Sequence, residues 1–196
     1  MVSLLLPKPS WTKVSTSERK KMPIKHSNLP HIDKIDHYQF ITFRTKDSFD
    51  GILKEIYGNN DLSKVKHYKM DRHLDQSKQG DLLYGDMIEE IKAYYLSYDK
   101  KLYDLYALAI MPNHIHLLLR QKDTLSNILR ILKGGSTRIV NKALERKGKV
   151  WAGDYFDKLI RDEAHFSLVY EYIKNNPIKA DLKDKSIRFY GSFELP

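Results

Sequence analysis

The sequence predicts an α+β sandwich on a central antiparallel sheet, with helices packed mainly on one face. Three observations lead there. Short runs rich in aromatic and β-branched residues alternate with stretches of helical periodicity, and two apolar runs are separated by a single turn. Hydrophobic residues make up 41% of 196, enough for one core.

The elements follow in order. His37-Tyr38-Gln39-Phe40-Ile41-Thr42-Phe43-Arg44 reads as the first strand. Asp47 or Ser48 can cap a short helix near 49–57, and the polar stretch 58–80 reads as loop. Met87, Ile88, Ile91, Tyr94 and Tyr95 recur at helical spacing, which predicts an amphipathic helix over 82–98. Residues 103–110 alternate as a strand, Met111-Pro112-Asn113 signals a turn, and 114–120 is a second strand, so the two form a hairpin. Ile128, Leu129, Ile131 and Leu132 open a helical region. Gly134-Gly135 interrupts it, either as a break or for close approach of a partner's backbone, and Ile139, Val140, Ala143 and Leu144 resume it. Residues 151–160 read as a short strand. A last helix starts at Asp162 as N-cap, runs to about Asn175, and is stopped by Pro177. Such an order suits a sandwich of the ferredoxin-like or RRM-like kind.

Residues 1–35 hold four of the seven prolines and read as an irregular basic arm, leaving 36–196 as the main domain. The absence of cysteine excludes disulfides, thiolate zinc sites and cysteine nucleophiles, and suits a reducing cytoplasm. No apolar run approaches the ~20 residues that span a bilayer, so no membrane partner is expected. Leu4-Leu5-Leu6, followed by Pro7 and Pro9, does not make a signal peptide.

Net charge is +9. Residues 1–35 carry seven basic and two acidic side chains, and residues 121–161 carry ten and four. These two blocks hold more than the whole excess, the clustering a polyanion partner needs. Arg130, Lys133, Arg138 and Lys142 are the candidate phosphate contacts in the second block. The alternative is a solvated helix face.

His114-Ile115-His116 lies inside an apolar strand. Residues i and i+2 share a face, so the two imidazoles stand side by side and can chelate one divalent ion. Two structural histidines would show the same spacing. A third histidine at 118 would suggest a histidine-triad hydrolase, but that position is Leu118.

The segment Met111-Pro112-Asn113-His114-Ile115-His116-Leu117-Leu118-Leu119 resembles the HUH motif of single-strand DNA transposases, where U is a bulky apolar residue. Two further blocks follow in order, Val150 through Asp162 (VWAGDYFDKLIRD) and Tyr170 through Ala180 (YEYIKNNPIKA). From Tyr38 to about Leu182, the chain is similar to the REP-associated tyrosine transposases and their insertion-sequence relatives.

Thirteen tyrosines leave the nucleophile open by chemistry alone, since a phenol of pKa about 10 is mostly protonated at neutral pH. The resemblance selects Tyr172, with Tyr170 as fallback. It also makes Asn176, four residues on, the third metal ligand beside His114 and His116. A helix C-cap is the other reading of Asn176, because Pro177 disfavours α conformation before it. The resemblance implies Mg²⁺ or Mn²⁺, attack by Tyr172 to give a 5′-phosphotyrosine with release of a 3′-hydroxyl, and rejoining by the reverse step. The implied partner is single-stranded or hairpin DNA. A homodimer and a monomer both occur among relatives. The rival readings are a catalytically inactive, domesticated DNA-binding protein and a metal-binding core protein without DNA affinity.

Overall fold

The computed structural model describes residues 33–48, 74 and 77–192. The expected helix at 49–57, most of the loop at 58–80 and nearly all of the N-terminal arm lie outside the described residues. In chain order the elements are β1 (Tyr38–Arg44), α1 (Met87–Leu96), β2 (Tyr103–Ile110), β3 (His114–Gln121), α2 (Leu125–Ala143), β4 (Phe156–Leu159), α3 (Glu163–Lys179), α4 (Lys185–Arg188) and β5 (Phe189–Gly191). They form an α+β fold around one sheet of order β4-β1-β3-β2-β5, antiparallel throughout. Without β5, this is the order of a split βαββαβ sandwich.

The sheet is covered on both faces, which is why its central strands are buried at nearly every position. Ile41, Phe43, Leu105, Leu108, Ile115, Leu117 and Leu119 face α1 and α2. Phe40, Ala107, Ala109 and Leu118 face α3. Two of the three long helices thus share one face, and the third has the other to itself. In β2 the alternation slips by one residue. The register shifts between Leu105 and Ala107, so the extra residue is Tyr106.

Two sequence expectations about helices are corrected. Gly134-Gly135 does not interrupt α2, which runs unbroken for 19 residues. Gly135 is buried where α2 meets α1. A Cβ there would run into the ring and hydroxyl of Tyr94, whose own hydroxyl donates to the Ile131 carbonyl at 3.1 Å. Gly134 faces open space. Gly134→Ala should therefore raise stability by up to about 1 kcal/mol through helix propensity. Gly135→Ala should lose that gain and more, because Tyr94 must be displaced. Urea unfolding of the two variants would show it, and equal stabilities would refute the packing account.

Pro177, likewise, does not stop α3, which continues to Lys179 with Ala180 as its C-cap. One missing N–H in the final turn is tolerated, since the chain leaves the helix three residues later. Asp162 caps the other end as expected, accepting from the His165 N–H at 2.7 Å. No expectation covered residues 185–191, which form α4 and the edge strand β5. Among the described residues, no helix is long and apolar enough to cross a membrane.

Candidate functional site

The histidines lie on the α3 face of β3. The register sets Thr42 of β1 and Ala109 of β2 directly beside His116, with Phe156 of β4 and Phe189 of β5 at the two ends of that row. Ala107 and Ala109 are small, and α3 packs over them. This brings the helix close enough to reach the histidines.

Both imidazoles are fully buried. His114 Nε2 and His116 Nε2 face each other at 3.0 Å. Each remaining ring nitrogen has a partner: Asn113 Oδ1 lies 2.7 Å from His114 Nδ1, and Thr42 Oγ1 lies 2.8 Å from His116 Nδ1. Asn113 Oδ1 can only accept, so it fixes the proton of His114 on Nδ1 and leaves the Nε2 lone pair pointing inward. Burial pushes the His114 pKa from its ordinary 6.5 down to about 3, so the ring is neutral at physiological pH.

That depression carries a sign. Above pH 6.5 the folded and unfolded chains both hold His114 neutral. Between 6.5 and about 3 only the unfolded chain takes the proton. Stability is therefore fully present above 6.5 and is lost as the pH falls towards 3, at up to about 1.4 kcal/mol per pH unit. Urea titrations of chelator-treated protein from pH 7 to 4 should show a steeper loss for wild type than for His114→Gln. Parallel curves would count against it.

α3 supplies the rest. Tyr172 and Asn176 are one turn apart on the same side of the helix, since α3 persists past both. The Tyr172 ring centre is 5.4 Å from that of His116 and 5.9 Å from that of Phe40. Asn176, 2% exposed, sets its Nδ2 3.2 Å from His116 Nε2. It is not a helix C-cap. Its Oδ1 is buried and has no hydrogen-bond partner among the described residues. A half-turn of the amide exchanges the two atoms and presents oxygen to the same centre. The inward Nε2 lone pair of His114, the His116 Nε2 that faces it and an amide oxygen without a donor fit a small divalent cation. Among the described residues, no group of three His, Asp or Glu side chains forms such a site.

Tyr170 is separated from this centre. It is 5% exposed, its ring lies 6.0 Å from that of Phe189, and its hydroxyl occupies the space above Gly191. It belongs to the core between α3 and β5.

The expected phosphate contacts are not beside the histidines. The apolar side of α2 packs on the opposite face of the sheet, so exposed Arg130, Arg138 and Lys142 look away from the pair. Lys133 turns inward: its ammonium donates to the Ala152 and Asp154 carbonyls at 3.0 and 2.9 Å and lies over the Phe43 and Tyr155 rings. Burial pushes its pKa down to about 8. Lys133 braces the segment before β4.

Three residues of the site escaped the sequence reading. Thr42 and Arg44 reach it only through the pairing of β1 with β3, which places Thr42 opposite His116 and Arg44 opposite His114. Arg44 is also paired with Asp154 at 3.4 Å. Asn113 had a visible signal, its place next to His114, but was read only as a turn residue.

The family described as "Transposase IS200 like" matches residues 76–176, a span that includes both histidines, Tyr172 and Asn176. A Haemophilus influenzae protein of uncharacterized function is 37% identical, over 35% of this chain and 51% of its own length. The chain thus spans about half the length of that curated relative. Among solved structures, a REP-associated tyrosine transposase bound to a REP hairpin is 18% identical, with a TM-score of 0.44 over 79% of this chain and 74% of that one. A Deinococcus radiodurans R1 transposase candidate is 17% identical, with a TM-score of 0.42 over 78% of this chain and 98% of that one. With the family match covering half of its residues, the chain belongs to the IS200-like transposase family.

Proposed function

We propose that this chain nicks and rejoins single-stranded DNA next to hairpins, with Tyr172 as nucleophile. The observation that carries the reading is the convergence of Tyr172 and Asn176, from one side of α3, on His116. His114, His116 and the Asn176 amide would hold Mg²⁺ or Mn²⁺, which when bound would offset phosphate charge. The chain's own residues do the rest. Tyr172 Oη bonds to phosphorus, the P–O3′ bond breaks with its electron pair on O3′, the phenol proton passes to solvent, and O3′ takes one from it. The phosphotyrosine ester keeps the bond energy for rejoining. Asn113 and Thr42 hold the two imidazoles in place, which keeps the Nε2 atoms together. Arg130, Arg138 and Lys142 would meet DNA phosphates away from the cut. On this reading the chain works in the cytoplasm, alongside the DNA it would cut.

The test is direct. Hairpin oligonucleotides with single-stranded flanks, incubated with the protein and Mn²⁺, should give a covalent adduct on a denaturing gel. Absence of adduct across a randomised flank pool would sink the reading.

A further inference from the structure

Beside His114 lies a cavity of about 190 Å³ that the reaction above leaves unused. It is far larger than one water, roughly 30 Å³, and smaller than a pocket for a drug-sized ligand, roughly 300 Å³ or more. Its walls include His114, Asn113, Asp81, Tyr84, Lys78 and Ala180. These walls are fastened to the histidine strand. The Leu82 and Leu83 N–H groups donate to the Pro112 carbonyl at 2.9 and 3.0 Å. Asn113 Nδ2 donates to the carbonyls of Leu74, Ser77 and Gln79, while its Oδ1 holds His114.

Two wall residues have the chemistry of base recognition. Tyr84 is 45% exposed, and the fully buried Arg188 guanidinium backs its ring at 5.3 Å. Arg188 is itself fixed by Asp184 and by the Ile110 and Leu83 carbonyls. Tyr84 therefore offers a braced aromatic ring for stacking. Asp81 accepts from the Tyr84 hydroxyl through Oδ2 at 2.9 Å. Its Oδ1 is buried and has no hydrogen-bond partner among the described residues. A buried carboxylate oxygen without a donor is costly, and a ligand N–H would satisfy it.

The location selects the ligand. Along β3, His116 touches Tyr172, while His114, two residues nearer the turn, lines the cavity. Along α3, Tyr172, Asn176 and Ala180 follow at one-turn intervals, and Ala180 also lines the cavity. The nucleophile and the cavity thus flank the histidine pair on opposite sides. In an in-line displacement the leaving oxygen departs opposite the attacking one. The nucleotide that keeps O3′ is therefore directed towards the cavity.

We propose that this cavity binds the base immediately 5′ of the cut, and that Asp81 selects bases with an exocyclic amino group (cytosine, adenine or guanine) over thymine, whose one N–H lies between two carbonyl oxygens that a carboxylate repels. The proposal rests on the nicking activity proposed above. Asp81 accepts the amino proton, Tyr84 stacks on the ring, and Lys78 stands at the rim for the adjoining phosphate.

The test uses the full chain, a pool of hairpins with randomised flanks, Mn²⁺, and sequencing of the released 3′ ends. Thymine should be under-represented at the 3′-terminal position by about tenfold or more. Asp81→Asn, which offers a donor as well as an acceptor, should admit thymine. Asp81→Ala should remove the preference. Thermal melting confirms that both variants are folded. A flat base distribution from wild type, or unchanged exclusion of thymine in both variants, overturns the proposal. A parallel filter-binding selection with Tyr172→Phe separates the two claims. If nothing is cut but bound DNA still excludes thymine at one position through Asp81, only the nicking reading fails. If neither arm shows a preference, this proposal fails too.

Discussion

Tyr172→Phe is expected to abolish the covalent DNA adduct while leaving hairpin binding within a few-fold of wild type. The substitution removes one oxygen and keeps the ring. The edge contacts with His116 and Phe40 are made by the ring, so the helix position should persist. Without the phenol oxygen no phosphotyrosine can form, and loss of a nucleophile typically costs on the order of 10⁴-fold or more in rate. Tyr170→Phe is the matched control. Its hydroxyl is packed between α3 and Gly191, on the core side of the helix. That variant should keep the adduct and change only stability. Adduct from Tyr172→Phe, or its loss from Tyr170→Phe, would move the nucleophile elsewhere. Gel analysis and fluorescence anisotropy on the same preparations provide both readouts.

The parts of this site that were legible from sequence are those set by short-range geometry. His114 and His116 share a face because a strand alternates. Tyr172 and Asn176 share a face because a helix repeats every 3.6 residues. That these two pairs meet is a fact about tertiary packing, and only the likeness to a known family suggested it. Thr42 illustrates the limit. It lies 74 residues from His116 in sequence, and nothing local marks it as the partner of Nδ1. The cations of α2 show the limit from the other side. They follow the histidine strand closely in sequence, yet a helix after a hairpin can pack on either face. Here Leu125, Ile128 and Leu132 draw it to the face opposite the histidines. Charge clustering along a chain does not say which side of a sheet the charge will occupy. Pro177 was read as ending the helix because proline disfavours α conformation in the residue before it, yet Asn176 stays within α3, whose packing on the sheet outweighs that preference.

His116 should prove the least replaceable ligand, and its removal the second largest loss. It meets His114 Nε2 at 3.0 Å, Thr42 Oγ1 at 2.8 Å and Asn176 Nδ2 at 3.2 Å. Two neutral imidazoles and an amide form a weak donor set for a hard cation, so little affinity remains once one imidazole is gone. His116→Ala is expected to abolish Mn²⁺ binding and adduct formation together. Thr42→Val is a graded version of the same experiment. It leaves all three ligands in place but removes the oxygen that orients His116, and losing such a support typically lowers metal affinity about 10- to 100-fold. Asn176→Asp runs the other way. A carboxylate is a better donor to Mg²⁺ or Mn²⁺ than an amide, so affinity should rise. The order Asn176→Asp, wild type, Thr42→Val, His116→Ala can be read by Mn²⁺ titration with electron paramagnetic resonance, without DNA and without turnover. If His116→Ala binds Mn²⁺ as tightly as wild type, the metal lies elsewhere. If Asn176→Asp weakens binding, the amide is not a ligand and the orphaned Oδ1 needs another explanation.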